Sequence, residues 1–354
     1  MSKMTTISAS NTTQKRILVI GGTGAQGFAV VKALLEGPNP YSVRVLSRNP
    51  DAQSVQKAFA GLPVEFVKGS FMDFDSVRRS LQDCYRVYVN TDGFTVKESD
   101  EIFAGIRIFE ISNTIPTLRH FVYSSIDYYL QLTGFNHAYA AHHTNAKGRV
   151  NSYLQSQASS TSANGLTWSI LNTGAYTEDL QGGFFTPKIR ADGTRVFALP
   201  LGDGHLPLMT LHDNGVFARI VFDDRAAWSG KTLNMLSHFA TGLELAETLE
   251  KVAGVKAVYE PISLEQWIRE LAIADAPVAT TDPQGITVGQ NFAMWWPGFQ
   301  TSQLKNLKTR DEVMLKKLHP GLQSLEEWMR ETGYDGTPKP VLKGFIDAGV
   351  GPGF

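Results

Sequence analysis

Ile17-Leu18-Val19-Ile20 runs directly into Gly21-Gly22-Thr23-Gly24-Ala25-Gln26-Gly27, and beyond it Phe28, Val31 and Leu35 recur at helical spacing. A short apolar run, a glycine turn and a periodic apolar face make a strand–turn–helix unit. The glycines stand as Gly-x-x-Gly-x-x-Gly. The first allows a tight turn without a Cβ clash, the second lets backbone approach a ligand, and the last lets the helix pack close to the strand. The helix start then offers free N–H groups and a positive dipole end, which suit a diphosphate. A glycine triplet alone is a weak signal; between a buried strand and a helix it is a dinucleotide fingerprint.

The rest of the first half repeats the unit. Strands are expected over 17–20, 43–46, 64–67, 86–90, 120–124 and 166–171. Helices are expected over 51–60, 75–81, 101–112 and 138–155, and the Ser-rich run 157–165 reads as a loop. Strands separated by helices pair in parallel with right-handed crossovers, so the fold class is α/β, a Rossmann-type doubly wound parallel sheet. After Gly174 the rhythm changes, with frequent Gly and Pro and strand-like runs at 196–199, 232–235 and 257–261. The expected division is a disordered tail over 1–14, a nucleotide-binding Rossmann domain over 15–174 and a smaller α/β substrate or partner lobe over 175–336. Some elements of that lobe return to the sheet, and an irregular tail follows over 337–354.

Composition narrows the function. Lys and Arg total 33 and Asp and Glu 34, a formal charge of −1, so no broad basic field exists for nucleic acid or an anionic membrane. Cys84 is the single cysteine, which permits no internal disulfide and no multi-cysteine zinc site. No apolar run reaches the length of a membrane span, and the polar start lacks a signal-peptide core. A soluble cytoplasmic protein is expected, nuclear if it is regulatory.

The second strand ends Leu46-Ser47-Arg48-Asn49-Pro50, with no carboxylate before Asp51. An acidic residue there would take the ribose hydroxyls of NAD, whereas Arg48 suits the 2′-phosphate of NADP(H). The expected cofactor is therefore NADP(H).

With these residues in view, the chain resembles the NmrA-like family, atypical members of the short-chain dehydrogenase/reductase superfamily. The markers are Gly21 to Gly27, Ser47 to Pro50, Asn90-Thr91-Asp92, His120 to Ser125, and His143 to Tyr153 with Lys147-Gly148. The resemblance implies cofactor contacts at Gly21, Thr23, Gly24, Gln26, Gly27, Arg48 and Asn49. It extends them to Ser70 and Phe71 beside the adenine, to Thr91, Asp92 and Gly93, to Lys147, and to Tyr176, Glu178 and Asp179. Two departures stand out: Gly69-Ser70 replaces the family's Gly-Asp, and Asn172-Thr173 replaces Arg-Pro. The family includes NADP(H)-binding sensors and reductases of quinones and other small molecules.

The superfamily's catalytic pattern is Tyr-x-x-x-Lys, in which Lys lowers the Tyr pKa and Tyr passes a proton as hydride moves. Here Lys147 is present, His143 occupies the tyrosine position, and Tyr139 lies one expected turn further back. These three are the catalytic candidates. Either His143 donates a proton near neutral pH, or His143 and Tyr139 pack locally while Lys147 grips the ribose. Ser124, Ser125, Tyr128 and Tyr129 are further hydroxyls near the same strand end. Glu178 and Asp179 either orient a ligand or cap a helix. His142-His143 is not a convincing metal pair, and no metal is expected. Phe184-Phe185 and Met294 to Pro297 are core, or line a cleft for an apolar or aromatic molecule.

Three functions stay open on the sequence. One is an oxidoreductase acting on a small organic molecule, such as a secondary-metabolite intermediate. Another is a sensor that changes its protein partner or homodimer state with cofactor. The third is a biosynthetic enzyme steering a condensation or cyclisation.

Overall fold

The computed structural model describes residues 15–300 and 310–339. The tails expected over 1–14 and 340–354 lie outside the described residues; 337–339 has no regular structure. The chain begins β1 (Arg16–Ile20), α1 (Ala25–Leu35), β2 (Ser42–Ser47), α2 (Gln53–Ala58), β3 (Val64–Lys68), α3 (Phe74–Leu81) and β4 (Arg86–Val89). It continues α4 (Glu98–Asn113), β5 (His120–Ile126), α5 (Tyr129–Leu132), α6 (His142–Gln155) and β6 (Thr167–Thr173). Then come β7 (Ala175–Tyr176), α7 (Asp179–Gly182), β8 (Lys188–Ile189), β9 (Arg195–Leu199), β10 (Leu206–Met209), α8 (Leu211–Asp223), α9 (Arg225–Trp228) and β11 (Lys231–Asn234). They are followed by β12 (His238–Ala240), α10 (Gly242–Ala253), β13 (Ala257–Pro261), α11 (Leu264–Glu270), α12 (Val288–Ala293) and α13 (Pro297–Gln300). Two helices, Glu312–Leu318 and Leu325–Thr332, close the described chain.

Seven parallel strands form the main sheet in the order β11-β6-β5-β4-β1-β2-β3. β1 shows why. Ile17 and Val19 enter one core with Val30, Val31 and Leu34 of α1 and Phe217 and Val221 of α8. Leu18 and Ile20 enter the opposite core with Ile108 of α4 and Val150 and Leu154 of α6. A strand whose alternate side chains are all buried needs helices on both faces. Close glycine contacts set those helices: a Cβ at Gly215 would lie 2.5 Å from the Ala29 carbonyl oxygen, so α8 rides on α1 at backbone distance.

β11 and α8 come from beyond residue 174, so part of the second stretch does return to the main sheet. Two three-stranded sheets, β12-β10-β7 and β13-β9-β8, carry the remaining strands. Their core is aromatic, with Phe185, Trp295, Trp296 and Phe299 buried together. The helix expected over 138–155 is two pieces. His137–Tyr139 is a 3-10 turn whose Ala138 N–H is capped by Asn136 Oδ1 at 3.0 Å, and α6 starts only at His142. No helix among the described residues is long and apolar enough to cross a membrane.

Candidate functional site

The strand order reverses direction between β1 and β4, which is where open α/β sheets bind ligands beyond their carboxyl ends. The turns after these strands touch. Gly21 has φ +81°, and a Cβ there would stand 2.6 Å from the Asn90 carbonyl oxygen. A Cβ at Gly27 would stand 2.2 Å from the Gly21 carbonyl oxygen, so α1 is pressed against its own turn. Gly24 is the N-cap, no side chain caps this end and no acid occupies the first turn. Thr23 lies half-buried in the turn. The cradle is therefore shaped by backbone and open at the helix start, which fits a diphosphate.

Arg48 and Asn49 are exposed immediately past β2. Past β3, Ser70 Oγ accepts the Met72 N–H at 3.2 Å and Phe71 packs partly buried on the adjacent core. Gln26 differs from expectation. Its Nε2 donates to Asn214 Oδ1 at 3.0 Å and its Oε1 accepts from Ser124 Oγ at 2.9 Å. That side chain is committed to tying α1, α8 and β5.

Lys147 reaches the end of β4. Its Nζ donates to the Thr91 carbonyl at 2.9 Å, to Thr91 Oγ1 at 3.2 Å and to Asn90 Oδ1 at 3.3 Å, and it pairs with Glu101 Oε1 at 3.3 Å. Glu101 is fully buried and also accepts from Thr91 Oγ1 at 2.7 Å, while its Oε2 has no hydrogen-bond partner. The absence of a side chain at Gly93 makes room for that oxygen: a Cβ there would be 2.4 Å from it. Asp92 turns back on its own loop, accepting from the Phe94 N–H and Thr95 Oγ1. Glu101 was not among the sequence candidates; the sole clue was an acid on an otherwise apolar helix face.

His143 and Tyr139 do not form one polar line with Lys147. Tyr139 sits on the separate 3-10 turn and packs half-buried against the aromatic core. His143 Nδ1 accepts from Asn291 Nδ2 at 2.9 Å, and its ring lies among Phe94, Phe292 and Trp295. Burial pushes its pKa down to about 4, and the Lys147 ammonium acts the same way, so the ring is neutral at neutral pH. That removes His143 as a charged acid. Tyr129 is buried in packing against Phe299, and Tyr128 lies across Gly148.

Tyr176 is half-buried on β7. The Glu178 carboxylate accepts the Leu211 N–H at 3.1 and 3.2 Å, which caps the start of α8. Burial raises its pKa to about 7. Asp179 begins α7, is buried, and has an unpartnered Oδ1; burial, then the neighbouring Glu178 charge, raises its pKa to about 8.

Two other groupings lie outside this cleft. His212, Asp213 and His319 come together, but Asp213 is already spent. Its Oδ1 accepts from His319 Nε2 at 2.9 Å, and its Oδ2 accepts from Ser237 Oγ at 2.6 Å and the Gln323 N–H at 3.2 Å. A cleft of about 350 Å³ is lined by Phe184, Trp267, Lys188 and Glu270 among others.

The comparisons with known proteins agree with this architecture. The sequence profile of the NmrA-like family matches residues 13–329, and the chain belongs to that family. Among its relatives is the NmrA-like family domain-containing oxidoreductase lnaB of Aspergillus flavus, 26% identical, with 72% of this chain and 77% of the relative covered. Another is the oxidoreductase FrzB of Cladobotryum sp, 25% identical over 71% of this chain and 77% of its own. The negative transcriptional regulator NmrA, solved with NADP, superposes at TM-score 0.70 with 17% identity, covering 91% of this chain and 99% of that one. An NADPH-dependent quinone oxidoreductase of Escherichia coli, solved with NADPH, gives TM-score 0.65 and 18% identity, covering 90% and 100%.

Proposed function

We propose that this chain is an NADP(H)-dependent oxidoreductase acting on a small, apolar or aromatic organic molecule. The observation that carries the reading is the uncapped start of α1 pressed against a glycine turn, with Arg48 exposed past β2 and Lys147 at the β4 edge. The backbone of Gly21 to Gly27 would hold the diphosphate, Arg48 the 2′-phosphate and Lys147 the ribose beside the reacting ring. When bound, the reduced cofactor supplies a hydride. Thr91 and Glu101 hold Lys147 in place, and the rings of Phe94, Phe292 and Trp295 pack around His143. The resemblance to NADP(H)-bound relatives supports the cofactor; a role in tailoring secondary metabolites is the finer reading. Titration with NADPH and NADH, followed by NADPH oxidation against a panel of quinones, enones and ketones, tests it. Binding without turnover of any acceptor sinks the enzyme reading.

The neutral state of His143 and the missing tyrosine favour a second reading, a sensor of the NADP+/NADPH ratio. Calorimetry and light scattering with each cofactor form decide it: identical behaviour with both removes the sensor.

A further inference from the structure

The first turn of α1 is held from the far half of the chain. The N–H groups of Ala25, Gln26 and Gly27 have no acceptor among the described residues. Such groups point along the helix axis, out of its start, toward whatever binds there. In the middle of the three, Gln26 buries its side chain. Its Nε2 donates to Asn214 Oδ1 at 3.0 Å, and its Oε1 accepts from Ser124 Oγ at 2.9 Å. Asn214 is the anchored end of this link. Thr210 Oγ1 accepts the Asp213 N–H at 3.0 Å, and the Glu178 carboxylate accepts the Leu211 N–H. Asp213 is held in turn by Ser237, His319 and the Gln323 N–H. One residue on, Gly215 brings α8 to backbone distance from Ala29. Asn214 itself is fully buried, and its Nδ2 has no partner among the described residues. A buried amide left half satisfied costs stability that a leucine of similar volume would not. What the amide supplies in return is the bond to Gln26.

We propose, building on the cofactor reading, that Asn214 is a positioning residue for the diphosphate: through Gln26 it holds the N–H groups at the start of α1 in their binding arrangement before the ligand arrives. A glycine-rich turn left to itself loses conformational freedom when it binds, and a turn ordered in advance has already lost it. The anion cradle is contiguous in sequence, but its order is supplied by α8, from the second half of the chain. Asn214 is buried and acts only through Gln26, which gives the link two signatures. The loss on breaking it is confined to ligands that use the cradle. The effects of changing Asn214 and Gln26 do not add, because both changes break the same bond.

The test is calorimetry on the full chain with NADPH and with 2′-AMP, which carries the phosphate assigned to Arg48 but no diphosphate. Asn214→Leu is expected to weaken NADPH about tenfold and to leave 2′-AMP within about twofold. Gln26→Met is expected to match it, and the double variant to stay within about twofold of either single one. This last comparison decides without the second probe. Ser124→Ala removes the other bond to Gln26 and is expected to weaken NADPH about threefold; it carries the test where Asn214→Leu does not fold. Unchanged NADPH affinity in these variants, an equal loss of both probes, or losses that add in the double variant overturn the proposal and leave the cofactor reading standing. A wild-type chain that takes up no NADPH brings down both.

Discussion

The starts of α1 and α10 make opposite use of the same chemistry. Every helix begins with N–H groups that have no partner within the helix. At α10, Thr241 accepts from the Glu244 N–H while the Glu244 carboxylate accepts from the Thr241 N–H, so the chain satisfies that end itself. At α1, Gly24 stands in the same position with backbone suited to a cap but no side chain to provide one. A missing cap costs about 1 kcal/mol. The difference teaches where an external group is accommodated: the end the chain closes is structural, and the end it leaves open suits an anion.

The sharpest way to break this contrast is Gly27→Ala. Its methyl would meet backbone rather than a movable side chain, so NADPH affinity should fall more than about hundredfold, with a lower Tm, by titration and thermal melting. Gly24→Asp tests the open end directly. A carboxylate there closes α1 as Thr241 closes α10 and repels a diphosphate, so NADPH binding should weaken about hundredfold while Tm holds or rises slightly. Unchanged binding would mean the open end is not the anion site. Arg48→Ala should cut the preference for NADPH over NADH about tenfold or more and leave NADH alone.

Glu178 and Asp179 give a smaller contrast of the same kind. One carboxyl closes a helix; the other keeps an unpartnered oxygen. The folded Asp179 pKa of about 8 lies above an unfolded value near 4. Between those values the folded chain retains a proton that the unfolded chain releases, so stability falls as pH rises across the window. Asp179→Asn should flatten that slope and gain on wild type toward pH 8, read by denaturation at pH 5 and 8. Thr241→Ala should have the smallest effect, about 1 kcal/mol of stability with NADPH affinity intact.

The sheet was legible because its strands are buried on both faces and alternate with helices, a pattern that survives in local sequence. The backbone cradle was legible for the same reason: Gly21 to Gly27 is contiguous. The side-chain machinery was not, because it is assembled across the chain. Gln26 turns inward to meet Asn214, 188 residues away, and His143 meets Asn291, 148 residues away. Neither partner carries a local signature. The break before His142 was hidden because Tyr139, His143 and Lys147 sit at helical spacing, whereas Asn136 caps a separate turn.

The way α8 and β11 rejoin the sheet limits how the gene could be dissected. A fragment ending at residue 174 would strip Val30, Val31 and Leu34 of their roof and leave β6 as a bare rim inviting edge-to-edge association. The stretch up to residue 174 is thus a poor choice for expression by itself, and a swap of the two three-stranded sheets between relatives must splice on both sides of 211–234 rather than at one junction.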